Sequence, residues 1–419
     1  PWDSSPPGSV SSPTGPSWSA ASSSEPRTGS AGAAEPKGPL EEPSRADSLT
    51  NRWDGDPRPC SCAPAASAAG RAGGCGLEDT SRAAEPRAKP SRAAVHWALV
   101  ALVVQHLSIT RIAEGLGVAW LAANDAVLAA GRQLLISDPT RFEGVTVLGV
   151  DEHVWRHTRA GEKYVIVIID LTPVREKTGP ARLLDMVEGR SKAVFKRWLA
   201  ARPAPWQEQI EAVAMDGFTG FKSATVEELP GAAAVMDPFH VVRLAGDALE
   251  NCRRRVQQDI FGRRGMKGDP LYQSRRTLLT GASLLTEKQK ARLEVLFADE
   301  RHLAVEATWG IYQDVICAYR EPERGLAKFF LAHTIDRLAG GVPAGLPELG
   351  KLARTLKQRA GDILSYFERP GTSNGPTEAI NGRLEHLRGT ALGFRNLNHY
   401  IARSLLEAGG FRSRLHAQL

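Results

Sequence analysis

Three acidic residues have the type and setting that phosphoryl chemistry needs: Asp151 directly after GVTVLGV, Asp216 directly after EAVAM, and Glu378 inside SNGPTEAINGRLEHL. All are hard oxygen donors with no Cys or His at ligand spacing beside them, a set that suits magnesium or manganese and not zinc. Two such ions would activate an attacking oxygen and stabilise the leaving one in an in-line displacement at phosphorus. Singly, each residue reads first as a solvated cap at the end of a strand or helix, which bare spacing does not overturn. The chemistry depends on whether the fold brings them together.

The elements around them decide that. VTVLGVDEHVW and KYVIVIIDL read as two buried strands of a hairpin across a polar turn at Arg159 to Glu162. ARLLDMV supplies a third strand, Lys192 to Ala200 a helix, EAVAMD a strand ending at Asp216, Phe218 to Glu228 a helix, and AAAVMD a strand ending at Asp237. The order βββαβαβ predicts a mixed sheet, antiparallel in its hairpin portion and parallel where helices intervene. If the first and fourth strands are parallel neighbours, Asp151 and Asp216 emerge at one edge of the sheet. Asp170, ending the antiparallel second strand, is expected at the opposite edge.

Glu378 lies two residues after Pro376, a proline suited to a first helical turn, with Ser373 or Asn374 available as the cap. A carboxylate in that turn is favoured by the helix dipole. Ile380, Leu384 and Leu387 form an apolar stripe, while Glu378, Asn381 and Glu385 share another face. One helix can therefore bury its stripe on the sheet and offer Glu378 to the carboxylate edge.

Taken together, GVDEHVW, KYVIVIIDL, AMDGFTGFKSA, VMDPFHVVRLA and SNGPTEAINGRLEHLRGTALGFRNLNHYIARSLL resemble the ISL-three-type insertion-sequence transposases, enzymes of the DDE class. The resemblance covers roughly residues 93–419. It implies an α/β, RNase H-like core in which Asp151, Asp216 and Glu378 form the catalytic, metal-binding triad with Mg2+ or Mn2+. It also implies a DNA transposase that hydrolyses phosphodiester bonds at terminal inverted repeats and joins the freed 3′ hydroxyls to target DNA. Asp237 rivals Asp216 for the second position, but DPFHV turns directly into a helix, so Asp237 and His240 are placed around the triad and not in it. His153 and His240 show no zinc spacing and read as packing or hydrogen-bonding residues.

Between Asp216 and Glu378 lie 161 residues, far more than one strand and one helix require. The stretch 241–365 is helical in pattern and is expected to be an insertion. Nine basic residues against four acidic ones between Arg243 and Arg276 mark it as a DNA contact, with Arg253, Arg254 and Arg255 as the candidates. Near the C-terminus Arg383, Arg388 and Arg395 follow Glu378 and read as phosphate contacts. Residues 93–140 supply three short helices. Leu107 to Val127 reads as a helix-turn-helix or as a plain helical hairpin; in the first case Gly117 takes the turn, Val118 and Val127 are anchors, and Trp120, Asn124 and Asp125 face outward toward DNA.

These readings divide the chain into 1–92, disordered; 93–140, helix-turn-helix; 141–240, first part of the core; 241–365, helical insertion; and 366–419, the C-terminal part of the core. Residues 1–92 hold 14 of the 27 prolines and sum to about −1, so of the net +6 the remainder carries about +7. Their composition offers too little branched apolar surface to offset chain entropy. Relatives of the resembled type begin with a cysteine-rich zinc module. Here Cys60, Cys62 and Cys75 make only three ligands, with no histidine before His96, so no zinc is expected and a truncated or frame-shifted end is. Dispersed cysteines, no export signal and no long apolar run point to a cytoplasmic protein. The partners expected are double-stranded DNA and further copies of the chain on it. Two other readings remain: a non-catalytic DNA-binding derivative of a transposase, and an RNase H-like nuclease or resolvase acting on branched or hybrid substrates.

Overall fold

The computed structural model describes residues 90–157 and 161–416. The segment expected to be disordered, with Cys60, Cys62 and Cys75, lies outside the described residues except for residues 90–92.

Three helices open the described chain: α1 (Arg92–Val103), α2 (Ile109–Leu116) and α3 (Trp120–Gly131). Ser91 and Ser108 cap the first two, their hydroxyl oxygens accepting the amides of Ala94 and Arg111. Gly117 ends α2 in the left-handed region at φ 63°, which a side chain would resist. The chain then turns by 108° into α3, and Ile112, Ala113, Val127 and Leu128 bury the inner faces. Among the described residues no single helix is long and apolar enough to cross a membrane.

The next elements are β1 (Val147–Val154), β2 (Tyr164–Asp170), a short α4 (Thr172–Arg175), β3 (Arg182–Glu188), α5 (Lys192–Ala200), α6 (Ala204–Glu208), β4 (Ala212–Met215), α7 (Thr219–Glu228) and β5 (Ala233–Met236). They form one mixed sheet of five strands in the order β3-β2-β1-β4-β5. β1 runs antiparallel to β2 and parallel to β4, and β4 runs parallel to β5. Both faces are covered. Phe195, Trp198 and Phe221 pack on Leu148, Val150, Ile168 and Val213 on one side. Ile380, Leu384 and Tyr400 pack on Val147, Val167, Ile169 and Ala214 on the other. That double burial is why YVIVII and AVAM read as continuous apolar runs and not as alternating ones. Asp170 stands at the opposite edge from Asp151, where it pairs with Arg182 at 2.8 Å and accepts the Thr172 amide at 2.9 Å.

After β5 the chain enters the 24-residue helix α8 (Pro238–Phe261), closed by Gly262 at φ 64°. There follow α9 (Pro270–Gln273), α10 (Arg275–Leu278), α11 (Glu287–Phe297), α12 (Leu303–Arg320), α13 (Arg324–Ala339), α14 (Pro347–Gln358) and α15 (Ala360–Glu368). These helices bury a core of their own around Leu249, Cys252, Val315, Leu331 and Leu356. The chain then returns to the sheet with α16 (Gly375–Thr390), α17 (Leu397–Ala408) and α18 (Arg412–His416). α16 lies against β1 and α17 against β3, and α17 also reaches α1 and α3. The close approach of α16 requires Gly149: a Cβ there would stand 2.5 Å from the Thr377 hydroxyl.

Candidate active site

The strand register aligns the acids. Val150 pairs with Met215 and Met215 with Met236, so the next residue on each strand, Asp151, Asp216 and Asp237, falls in one row at the same sheet edge. α16 crosses that edge and carries Glu378 in its first turn.

Asp151 is held at both oxygens. Its Oδ1 accepts the amide of Glu152 at 2.8 Å, and its Oδ2 accepts Nδ2 of Asn381 at 2.9 Å. Asn381 stands three residues along α16 from Glu378, so one helix supplies both the third carboxylate and the hydrogen bond that orients the first. Burial pushes the Asp151 carboxyl up to about 7. The Glu152 amide opposes that shift, the negative charges of Asp216 and Glu378 reinforce it, and His240 opposes it. Burial also raises Glu378, followed by the charge of Asp237, with His240 and Arg243 pulling the other way. Asp151, Asp216, Asp237, Glu378 and His240 thus share one electrostatic neighbourhood.

Asp216 occupies a tight turn in which its Oδ1 accepts the Phe218 amide at 2.8 Å. The intervening Gly217 carbonyl accepts Nη1 of Arg359 at 2.8 Å. Arg359 is buried, forms an ion pair with Asp362 at 2.5 Å, and Asp362 also meets Lys222 at 2.8 Å. A charged contact from the helical insertion therefore grips the turn that aims Asp216.

Asp237, 3% exposed, performs two structural tasks. One oxygen caps α8 through the Phe239 amide at 3.0 Å, and the other accepts the Asn374 amide at 2.7 Å. His240 lies 3.8 Å from the same carboxylate, which holds its imidazole above the usual range. Asn374 is the N-cap position of α16, yet its side chain caps nothing: both amide atoms are buried without a partner, as is Oδ1 of Asn381. His153 is buried on the same face of β1 as Asp151, its Nε2 2.7 Å from the Tyr400 hydroxyl, and burial depresses it to about 4.

The donor set suits a hard divalent cation: oxygen ligands only, mutual repulsion that a cation would relieve, and unpartnered buried amides beside them. Among the described residues, however, no three His, Cys, Asp or Glu side chains stand close enough together to hold one ion.

The outlying DNA contacts are redistributed. Asn124 does not face outward; it is 3% exposed, and its Nδ2 donates to Asp125 because α3 turns that face into the bundle. Arg253, expected at a phosphate, is 4% exposed and held by Glu250 and Gln257. Arg254 is exposed but bonded to Glu250, and Arg255 is bound by Glu348. Arg388 pairs with Glu385, Arg383 lies 3.9 Å from Glu407, and Arg395 is exposed. Asn381, Thr377, Gly149 and Arg359 were not singled out from sequence for these parts. The three-residue step from Glu378 to Asn381 was the available signal for the first, and nothing local marks Arg359.

The profile of the DDE transposases of the ISL3 type, described simply as a transposase family, matches residues 148–404. The transposase for insertion sequence element IS1557, from two strains of Mycobacterium tuberculosis, is 26% identical over 365 residues, covering 79% of this chain and 78% of each relative. Among solved structures, the Drosophila P element transposase strand transfer complex aligns at 10% identity and a TM-score of 0.42, over 79% of this chain and 93% of that one. The profile match takes in almost the whole sheet, the entire insertion and α16, and so contains Asp151, Asp216 and Glu378 in a single alignment. The chain belongs to the ISL3 family of DDE transposases.

Proposed function

We propose that this transposase cuts and joins the ends of its insertion element with Asp151, Asp216 and Glu378 as the acting carboxylates, on a sheet of RNase H-like design. The observation that carries the reading is the link between Asp151 and Asn381 across 230 positions of sequence, which seats the Glu378 helix against the strand bearing Asp151, next to the strand bearing Asp216. Magnesium or manganese would be held by these three residues once drawn closer together than they stand here, and would supply activation of the attacking oxygen and stabilisation of the leaving one. Asn381 orients Asp151, the Phe218 amide orients Asp216, and Asp237 anchors the start of the Glu378 helix. His240 offsets part of the negative charge that the carboxylates concentrate.

The partner is double-stranded DNA, engaged by the basic insertion and by the helix-turn-helix of α2 and α3 through exposed Trp120 and Asp125. Several copies act together on the element ends. The deciding experiment incubates the protein, and separately Asp151→Asn, with the DNA flanking its own gene, with and without Mg2+. Metal-dependent strand cleavage at the element boundaries, lost in the variant while DNA binding survives, supports the reading. Binding without any cleavage would instead identify a non-catalytic DNA-binding derivative, and cleavage confined to branched or hybrid substrates a nuclease or resolvase.

A further inference from the structure

Four arginines around the far end of α8 are engaged by acids: Arg253 and Arg254 by Glu250, Arg255 by Glu348, and Arg263 by Asp269. Directly beyond them the balance changes. Two adjoining cavities, of about 720 and 490 Å3, share Gly265, Tyr272 and Arg275 in their walls. Arg264, Lys267 and Arg292 also line them, all exposed and, among the described residues, with no carboxylate against them. Arg275 stacks on the Tyr272 ring at 4.2 Å and donates to the Tyr272 carbonyl, so it too keeps its charge uncompensated. The engaged arginines brace this wall, and the free ones leave a concentrated positive field with an aromatic floor. That is the chemistry of a phosphodiester backbone site.

The position of the cleft along α8 adds a length. Asp237 caps the helix at the carboxylate edge, and the cleft, whose first exposed wall residue along α8 is Arg254, runs past Gly262. At a rise of about 1.5 Å per residue the helix separates the two by roughly 25 to 37 Å. At 3.4 Å per base pair along duplex DNA, this corresponds to roughly 7 to 11 base pairs. We propose that the cleft formed by Arg264, Lys267, Arg275 and Arg292 clamps the backbone of duplex DNA about one helical turn away from the phosphodiester being cut, with α8 as the spacer. This rests on the proposed function for the identity of the partner, but its test does not depend on cleavage.

The test measures equilibrium binding of blunt, arbitrary-sequence duplexes of graded length by fluorescence anisotropy, without divalent metal. The proteins compared are the full chain, Arg264→Ala/Lys267→Ala/Arg292→Ala, and Arg301→Ala as a control whose arginine is already paired with Asp299. On a duplex of about 40 base pairs, the triple variant is expected to lose up to about 2.7 from the slope of log K against log salt. The control should keep the slope. With the full chain, affinity should step up as the duplex passes roughly 7 to 11 base pairs, the length at which one molecule spans both cleft and carboxylate edge; the triple variant should show no step. An unchanged slope overturns the cleft, and a full chain lacking the step overturns the spacing. Because no metal or cutting enters, failure to find cleavage would sink the catalytic assignment and leave this result standing, and the reverse.

Discussion

Asp237 accepts the backbone amide of Asn374 at 2.7 Å, a bond between residues 137 positions apart that joins the last strand of the sheet to the first turn of the Glu378 helix. The same carboxylate caps α8, so one buried acid fixes where the insertion leaves the sheet and where the chain comes back. Asp237→Ala removes both bonds. Loss of the cap alone costs about 0.5–2 kcal/mol, and DNA cleavage should fall much further than DNA binding because the helix bearing Glu378 loses its tether. Asp237→Asn, which keeps one acceptor oxygen, should recover part of the stability. Urea unfolding together with cleavage and binding assays on the same preparations checks this; equal losses in binding and cleavage would refute it.

Arg359 offers a complementary perturbation. It reaches the Gly217 carbonyl from the insertion, and its ion pair with Asp362 is almost completely buried. Removing one partner of such a pair costs about 3–5 kcal/mol. Arg359→Lys keeps the charge but cannot donate to Asp362 and Gly217 in the same geometry. The lysine variant is expected to melt close to wild type and to cleave at least ~10-fold more slowly with unchanged affinity for DNA. Wild-type cleavage in a well-folded lysine variant would show that the insertion does not aim Asp216.

Gly149 tests how closely the helix must approach the sheet. Gly149→Ala brings a methyl group against the Thr377 hydroxyl, and overpacking of this kind costs about 1–3 kcal/mol. Thr377→Ala should relieve much of it. A double-mutant cycle on thermal or urea stability should therefore give a coupling between about 0.5 and 3 kcal/mol; additive effects would place the clash elsewhere.

Asp151 carries an ionised carboxylate at pH 8 in surroundings that push its titration up to about 7. Without a divalent ion that charge opposes folding. Asp151→Asn should therefore raise the melting temperature of the metal-free protein at pH 8 while abolishing cleavage, and Mn2+ should stabilise wild type more than the variant. A variant that melts lower than wild type in metal-free buffer would contradict this.

His153 sets an acid-side dependence of the opposite kind. Burial depresses it to about 4 from an unfolded value of 6.5, so the unfolded chain binds the proton more readily in that window. The stability it confers is present above about pH 6.5 and is lost as the pH falls toward 4, by at most on the order of 3 kcal/mol at 1.36 kcal/mol per unit. His153→Asn should flatten this part of the stability profile. Denaturation midpoints for both proteins at pH 7.5 and pH 5 provide the measurement, and parallel losses would exclude His153 as the source.

The sheet could be read in the sequence because its strands are buried on both faces, which turns YVIVIID and AVAM into unmistakable apolar runs, and because Asp151, Asp216 and Asp237 each mark where a run meets the site edge. Gly117 was equally visible, since a left-handed helix end needs glycine. Side-chain orientation was not. Whether Asn124 faces DNA or the bundle depends on how α3 rotates against its neighbours, and a run such as RRRVQQ does not say which arginine will find Glu250 or Glu348. Arg359 lay further out of reach: its meaning comes from a carbonyl 142 positions earlier, which no local periodicity encodes.

The long excursion between β5 and α16 also bears on when this protein becomes able to act. The strands bearing Asp151 and Asp216 leave the ribosome well before α16, which cannot dock on β1 until the whole insertion has been made and folded. On the proposed assignment, a nascent chain, or a fragment broken off ahead of Gly375, has basic surface and two of its three acids but no means of nicking a chromosome. Completion of synthesis thus serves as a safety catch: the polypeptide can settle on DNA early, yet becomes dangerous to it only once its last helices are in place.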